Sequence, residues 1–464
     1  MQKKRTLLIY AFIAFTMYHV TAQEYFSFYQ LRDYVFQTQG ISPTYMPQNT
    51  FTIAIPSSNF GVNYQNGFRL KDLLVENTNS GALEIDLKNL LLHVGDINTL
   101  KTNVTGHLFY MGLRKGKNAF SVFLNTKTDV NAQLTKPFFN FLANGNSSQV
   151  GELIDLSHDK FNATAYREIG FGYVRTFLDS KFKVGFNLRL LRGVFHASTQ
   201  RNAELTLLTK ADTYNWEMTA QNATVNTAGL DLIINKDNYP NNALTSYIFG
   251  NKNKGIAFDL GASYQISKKF IIEISTNDIG SITWREHVIN YNIEDGSGTF
   301  TGLDLKDIDD VEQAFENELS TIFTTNETQR SFKTKLGVKS YVSTSYLPNK
   351  KNRFSLTGFN NYTFNDFSPS FALAYNRTLK RATFGLTSSF GGHQKPIGIG
   401  GNFAVSLGAL QIYAATDNIV SKIENVYSAD FRFGINLNLG YKKWLKKINK
   451  RGEIRQSRVY LKIL

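Results

Sequence analysis

Residues 167–177, Arg-Glu-Ile-Gly-Phe-Gly-Tyr-Val-Arg-Thr-Phe, and residues 181–192, Lys-Phe-Lys-Val-Gly-Phe-Asn-Leu-Arg-Leu-Leu-Arg, alternate large apolar side chains with small or polar ones. In the first stretch Ile169, Phe171, Tyr173 and Phe177 share one parity, with Arg175 the exception, while Glu168, Gly170, Gly172, Val174 and Thr176 take the other. In the second, Phe182, Val184, Phe186, Leu188 and Leu190 alternate with Lys183, Gly185, Asn187 and Arg189. Successive side chains of a strand point to opposite faces, so each stretch has one apolar face and one wet face. A turn over 178–181 pairs Phe177 with Phe182, Tyr173 with Phe186 and Phe171 with Leu188. The two apolar sets then fall on one side, as a register set by burial requires. The stretch predicts a hairpin.

The same alternation returns along the chain, at 256–266, 402–409 and 431–441, and in a second short-loop pair at 371–379 and 383–390. Weaker candidates lie at 51–55, 104–113, 119–126, 270–278, 331–342 and 352–362. A soluble sandwich alternates as well, but its wet face usually carries Lys, Glu and Thr. Here that face is dominated by Gly, Ala, Ser and Asn, which crowd well onto the concave inside of a closed sheet. Many segments have the length a tilted strand needs to cross a bilayer. A sheet in contact with lipid must also close, because an open edge strands backbone groups in hydrocarbon. The reading is all-β: a single transmembrane antiparallel β-barrel of roughly 14 strands in the outer membrane.

The ends and the composition agree with an exported barrel. Lys3, Lys4 and Arg5 precede an apolar run from Leu7 to Val20, and small residues at Val20-Thr21-Ala22 predict cleavage of a signal peptide, residues 1–22. His19 and Thr21 interrupt the run, which is too short for a membrane anchor. There is no cysteine, which rules out disulfides, thiolate catalysis and lipid attachment at a cysteine. With 37 Phe and 23 Tyr against 8 Pro, the chain suits many aromatic-faced strands. The net charge is +14, or +11 without Lys3, Lys4 and Arg5. It is concentrated in a basic tail, residues 442–464, expected near anionic lipid headgroups rather than on nucleic acid.

Two stretches break the strand rhythm. Residues 199–253 are polar and rich in Asn and Thr, and read as a long loop with some irregular strand. Residues 292–330 carry ten acids against Lys306 and Arg330, and within them Ile308, Val311, Phe315, Leu319 and Ile322 recur at helical spacing. This predicts a small amphipathic helix over 308–323 packed in or over one mouth of the barrel. Asp307, Asp309 and Asp310 at its start suit capping and the helix dipole.

Chemistry is sparse. The seven histidines fall in no metal spacing, and neither a nucleophile elbow nor a phosphate loop occurs. His158-Asp159 and His196-Ala197-Ser198 are the nearest to catalytic neighbours, and no catalytic, cofactor-binding or metal residue is assigned. Charges on the wet face, Glu168, Arg189, Asp259, Glu273 and Arg432, are candidate lumen-lining residues. They either line a conduit or fill the lumen with ion pairs.

Several phrases resemble exported Bacteroidota barrels grouped as a domain of unknown function. They are residues 41–47 (Ile-Ser-Pro-Thr-Tyr-Met-Pro), the opening hairpin, 277–284 (Asn-Asp-Ile-Gly-Ser-Ile-Thr-Trp), 302–305 (Gly-Leu-Asp-Leu), 413–418 (Tyr-Ala-Ala-Thr-Asp-Asn) and 432–437 (Arg-Phe-Gly-Ile-Asn-Leu). The layout is similar to PorP/SprF-type outer-membrane proteins and more distantly to FadL-like barrels. The resemblance implies a non-enzymatic barrel with outer-membrane lipid as its surroundings. Two roles follow as expectations: a conduit for hydrophobic or small solutes, or a structural barrel serving secretion or motility components of a type 9 secretion or gliding machinery.

Overall fold

The computed structural model describes residues 25–76, 82–178, 181–301, 325–363, 366–367, 369–391, 398–419 and 427–440. The signal peptide expected over residues 1–22, the helix expected over 308–323 and the basic tail lie outside the described residues. Fourteen antiparallel strands close into one barrel. They are β1 (Phe51–Ala54 continuing as Asn59–Gln65), β2 (Ile97–Lys115), β3 (Asn118–Thr135), β4 (Lys160–Phe177) and β5 (Phe182–Thr199). Then come β6 (Lys254–Gln265), β7 (Phe270–Trp284), β8 (Phe332–Lys335 continuing as Val338–Tyr346), β9 (Asn352–Thr363) and β10 (Ser370–Thr378). The last four are β11 (Ala382–Gly391), β12 (Gly398–Leu407), β13 (Leu410–Thr416) and β14 (Ser428–Leu439). Each pairs with its successor. The ring shuts where β1 pairs with β14 on one side, Phe60 opposite Phe433, and with β2 on the other, Val62 opposite Val104.

The hairpin of β4 and β5 has Phe177 opposite Phe182, Tyr173 opposite Phe186 and Phe171 opposite Leu188. Its outward face is lipid-like: Phe171 and Phe186 stay 46% and 43% exposed, while Asn187 and Arg189 on the inward face are buried. Both strands run longer than the quoted alternation, continuing through residues 160–166 and 193–199.

That extra length gives the barrel an asymmetric height. β2 to β5 are 18 or 19 residues long, well beyond the roughly 9–11 needed to span a bilayer, whereas β10 to β13 have seven to ten. Strands Thr224–Ala228, Val288–Ile293 and Thr325–Thr328 extend this tall wall, the first pairing with β5 beyond the point where β6 ends. Strands at one end are joined by short turns, such as 116–117 and 408–409, and at the other by long connections such as 66–96 and 200–253. Short turns mark the periplasmic end of such barrels, so the tall wall faces outward from the cell.

The connections at the outer end also form a separate four-stranded sheet of Leu153–Asp155, Glu204–Thr209, Trp216–Gln221 and Gly296–Phe300. Trp216 packs on Phe300 at 5.1 Å and on Phe141 at 6.0 Å. Phe141 lies on the helix Lys136–Asn144, which Thr135 caps by accepting from the Phe138 N–H. Residues 199–253 thus hold strands Glu204–Thr209, Trp216–Gln221 and Thr224–Ala228 and helices Asp231–Ile234 and Ala243–Phe249.

Candidate functional site

Residues 25–48 show no strand alternation, and they fill the barrel. The segment starts with the helical turn Phe26–Tyr29, whose Phe26 and Ser27 N–H groups donate to the Asp417 carboxylate at 2.8 and 2.5 Å. A second turn, Phe36–Gly40, leads toward the short-turn end, where the Pro47 carbonyl accepts from Arg114. Partners come from every side of the ring. Gln37 donates to Asn59 and Asn436, Gln39 exchanges hydrogen bonds with Asn187, and the Ile41 carbonyl accepts from Ser275 and Asn277. Only a segment inside the lumen can reach β1, β5, β7 and β14 at once.

Apolar contacts reinforce this plug. Phe26, Phe28, Tyr29 and Leu31 are fully buried with Tyr341, Phe359 and Tyr413 of the wall. Tyr29 stacks on Tyr341 at 5.1 Å, and Phe36 on Tyr110 at 3.3 Å. The wall makes room with glycine. A Cβ at Gly172 would strike the Gln39 amide, and one at Gly185 would strike the Pro43 carbonyl oxygen. Gly172 and Gly185 therefore carry the footprint of the plug on the wall.

The five wet-face charges fall into three places. Glu168, Arg189 and Asp259 meet: Arg189 donates to Glu168, Asp259 and Asp278 at 2.7 Å each. Glu273 instead grips the plug, at 2.5 Å from Arg32. Among the described residues Arg432 makes neither kind of pair; its guanidinium lies over the rings of Tyr25 and Phe28, 3.6 and 4.8 Å from their centres. Three further members of the network carried no recognisable signal. Asp278 stands at a bulge with φ 62°, opposite the register break at Phe258/Leu260. Lys127 lies beyond the alternating part of β3 and bridges Glu168 and Asp278 at 3.4 and 3.5 Å. Lys339 joins Asp129 and Asp278 at 3.9 and 3.5 Å.

Plug and network touch through one side chain. Asn187 accepts from Gln39 at 3.0 Å and donates to the Gln39 carbonyl and to Asp259, at 3.1 and 3.0 Å. Above the network, toward the outer end, a cavity of about 440 Å³ opens between the tall wall and β8. Asp129, Asp278 and Lys339 line it together with Asn131, Asn162, Asn226 and Phe332. We term it the vestibule.

His196 and Ser198, on the vestibule side of β5, are brought together: His196 Nε2 lies 2.9 Å from Ser198 Oγ, and its Nδ1 lies 2.9 Å from Thr164 Oγ1. The third member is a hydroxyl, which cannot stabilise an imidazolium as a carboxylate does. The imidazole is also wedged against Trp284 at 5.1 Å and Phe332 at 5.4 Å. This is a packed, satisfied histidine. Among the described residues no group of three metal-ligating side chains comes together.

Closed, fourteen-stranded and carrying its short turns at one end, the molecule is a β-barrel of the outer-membrane type. Its residues 43–417 match the model of a family of unknown function, DUF5723, and the chain belongs to that family. Among solved structures it is similar to the Ralstonia pickettii toluene transporter TbuX, at 9% identity and a TM-score of 0.39 over 86% of this chain and 92% of that one. It is also similar to the Pseudomonas putida toluene transporter TodX, at 7% identity and a TM-score of 0.41 over 87% and 92%. A third is a Pseudomonas aeruginosa FadL homologue, at 7% identity and a TM-score of 0.38 over 85% and 91%. No curated protein matches the chain in sequence.

Proposed function

We propose that the protein is a non-enzymatic, gated conduit in the outer membrane, with residues 25–48 as the gate and the vestibule as its outer entrance. One observation carries this reading: the vestibule ends on an ion network whose Asp259 is bonded by Asn187, the residue that also holds Gln39 of the plug. A solute that reaches the vestibule meets Asp278, which is linked through Arg189, Asp259 and Asn187 to the element that closes the lumen. The vestibule's polar lining favours small polar solutes over the hydrophobic ones also expected from the sequence, because an apolar ligand would desolvate amides and carboxylates without replacing their partners.

Liposome swelling with the purified, reconstituted full-length protein tests the gate. Double replacement of Gln39→Ala and Arg32→Ala should raise solute entry over the intact protein. A variant that folds, shows a loosened plug by proteolysis and still passes nothing would end the conduit reading. That result would favour a structural or interaction barrel serving secretion or motility components, a second reading supported by the aromatic packing that shuts the lumen around Tyr29 and Tyr341.

A further inference from the structure

We infer that the vestibule is a binding site for a neutral, hydroxyl-rich ligand of the carbohydrate class. This deepens the conduit reading and rests on it for the ligand's route, though not for its binding. Three observations converge. First, amide groups are left unused there. Asn131 makes no side-chain hydrogen bond among the described residues. Asn162 and Asn226 use only their carbonyl oxygens, accepting from Thr164 at 2.9 Å and from Asn290 at 2.7 Å. Their NH2 groups remain available as donors, and Asn131 offers donor and acceptor together.

Second, the carboxylates that line the cavity are already neutralised. Asp278 is held by Arg189, Lys127 and Lys339, and Asp129 by Lys339. A cationic ligand drawn to these carboxylates would have to break those pairs or leave one partner buried alone, whereas a neutral ligand leaves them intact; Arg201, Lys333 and Lys335 also line the cavity. Third, Phe161 and Phe332 line the same cavity and offer apolar ring surface to the C–H faces of a sugar ring. A hydroxyl group both donates and accepts, as do the amides that meet it, so these groups match a polyol more fully than an ion or a hydrocarbon. The volume of about 440 Å³ lies in the range of small-molecule sites.

The test is equilibrium binding by the full-length protein in detergent. The probes are neutral oligosaccharides (gluco- and manno-configured), acidic oligosaccharides, neutral peptides, and the polysaccharide chain released from lipopolysaccharide. Binding of neutral oligosaccharides is expected, weakened roughly threefold to tenfold by each of Asn131→Leu and Asn226→Leu, the loss of about one hydrogen bond. Asn226→Asp serves as a volume-conserving check, and heat-modifiable gel migration shows that each variant is folded. A preference between the free and the lipopolysaccharide-derived chains tells a dissolved solute from a surface glycan, and either supports the class. Binding of acidic oligosaccharides alone, of peptides alone, or of nothing by folded protein would overturn it. Glycan binding without solute entry into liposomes would instead sink only the conduit.

Discussion

The side-chain amide of Gln39 donates to Asn187 Oδ1 at 3.0 Å, and the Asn187 amide returns a hydrogen bond to the Gln39 carbonyl at 3.1 Å. Gln39 belongs to the segment inside the barrel and Asn187 to the wall, 148 positions later in the chain. The same Asn187 amide also reaches Asp259, so the plug's attachment and the ion network share one residue. Replacing Asn187 by Leu strips both and removes this partner from the Gln39 Nε2 and backbone carbonyl, while Tyr110 and Ser121 still donate to Gln39 Oε1. We expect a loss of about 1–3 kcal/mol in barrel stability. It should appear as a lower temperature for conversion between the unboiled and boiled gel bands, together with faster protease cleavage within residues 25–48.

Glycine at position 185 lets the plug backbone approach the wall. Gly185→Ala places a methyl group against the Pro43 carbonyl oxygen, a backbone atom that cannot swing aside as a side chain tip can. The expected result is a displaced plug in an otherwise closed barrel: increased solute entry into liposomes and increased protease access. Gly358→Ala is the matched control, since its nearest neighbour is the Phe371 ring at 3.4 Å. That variant should behave as the parent does.

Arg189 is 1% exposed and faces three carboxylates. Arg189→Met leaves the network with uncompensated buried charge, a change that typically costs about 3–5 kcal/mol. Combining it with Glu168→Gln and Asp259→Asn should recover much of that loss in thermal denaturation followed by gel migration. Arg189→Lys should recover little, because an ammonium cannot present the planar fork that meets Glu168 on one side and Asp259 with Asp278 on the other.

In the outer loop before β2, Asp72 accepts from the Arg69 backbone N–H at 2.9 Å and from its guanidinium at 2.8 Å. Burial pushes this carboxyl up, but the Arg69 hydrogen bonds outweigh it and hold the group below its ordinary value of 3.8. A lowered folded value means that the contribution is present in full above 3.8 and is lost as the pH falls through the lower value. The protection factors of amides around the turn Leu70–Leu73, corrected for the intrinsic pH dependence of exchange, should therefore fall on acidification below 3.8. In Asp72→Asn that acid-induced step should vanish.

The barrel was legible because its signal is local. Phe171, Phe186 and Phe433 recur at period two, and a strand with one lipid face and one lumen face must show that period. The extensions of β2 to β5 were not legible, since beyond the bilayer neither face needs to be apolar. Glu168, Arg189 and Asp259 stood out as charges at positions of wet parity. Asp278 did not, because the bulge at its φ of 62° shifts the parity on which such a reading depends. Lys127 and Lys339 sit where the alternation has faded, and nothing in their neighbours singles them out.

The sequence by itself determined that the chain forms a closed sheet with an apolar outside and a small-residue inside, because period-two alternation is a property of neighbouring residues. Only the tertiary structure decided what the inside is for. Gly172 and Gly185 read as generic lumen residues until Gln39 and Pro43 are found against them. Residues 25–48 have no periodicity because their partners lie on strands all around the ring, up to nearly 400 positions away, as with Gln37 and Asn436. A segment whose anchoring contacts to the wall are long-range leaves no strand pattern in its own order, and its place is set only when the ring closes around it.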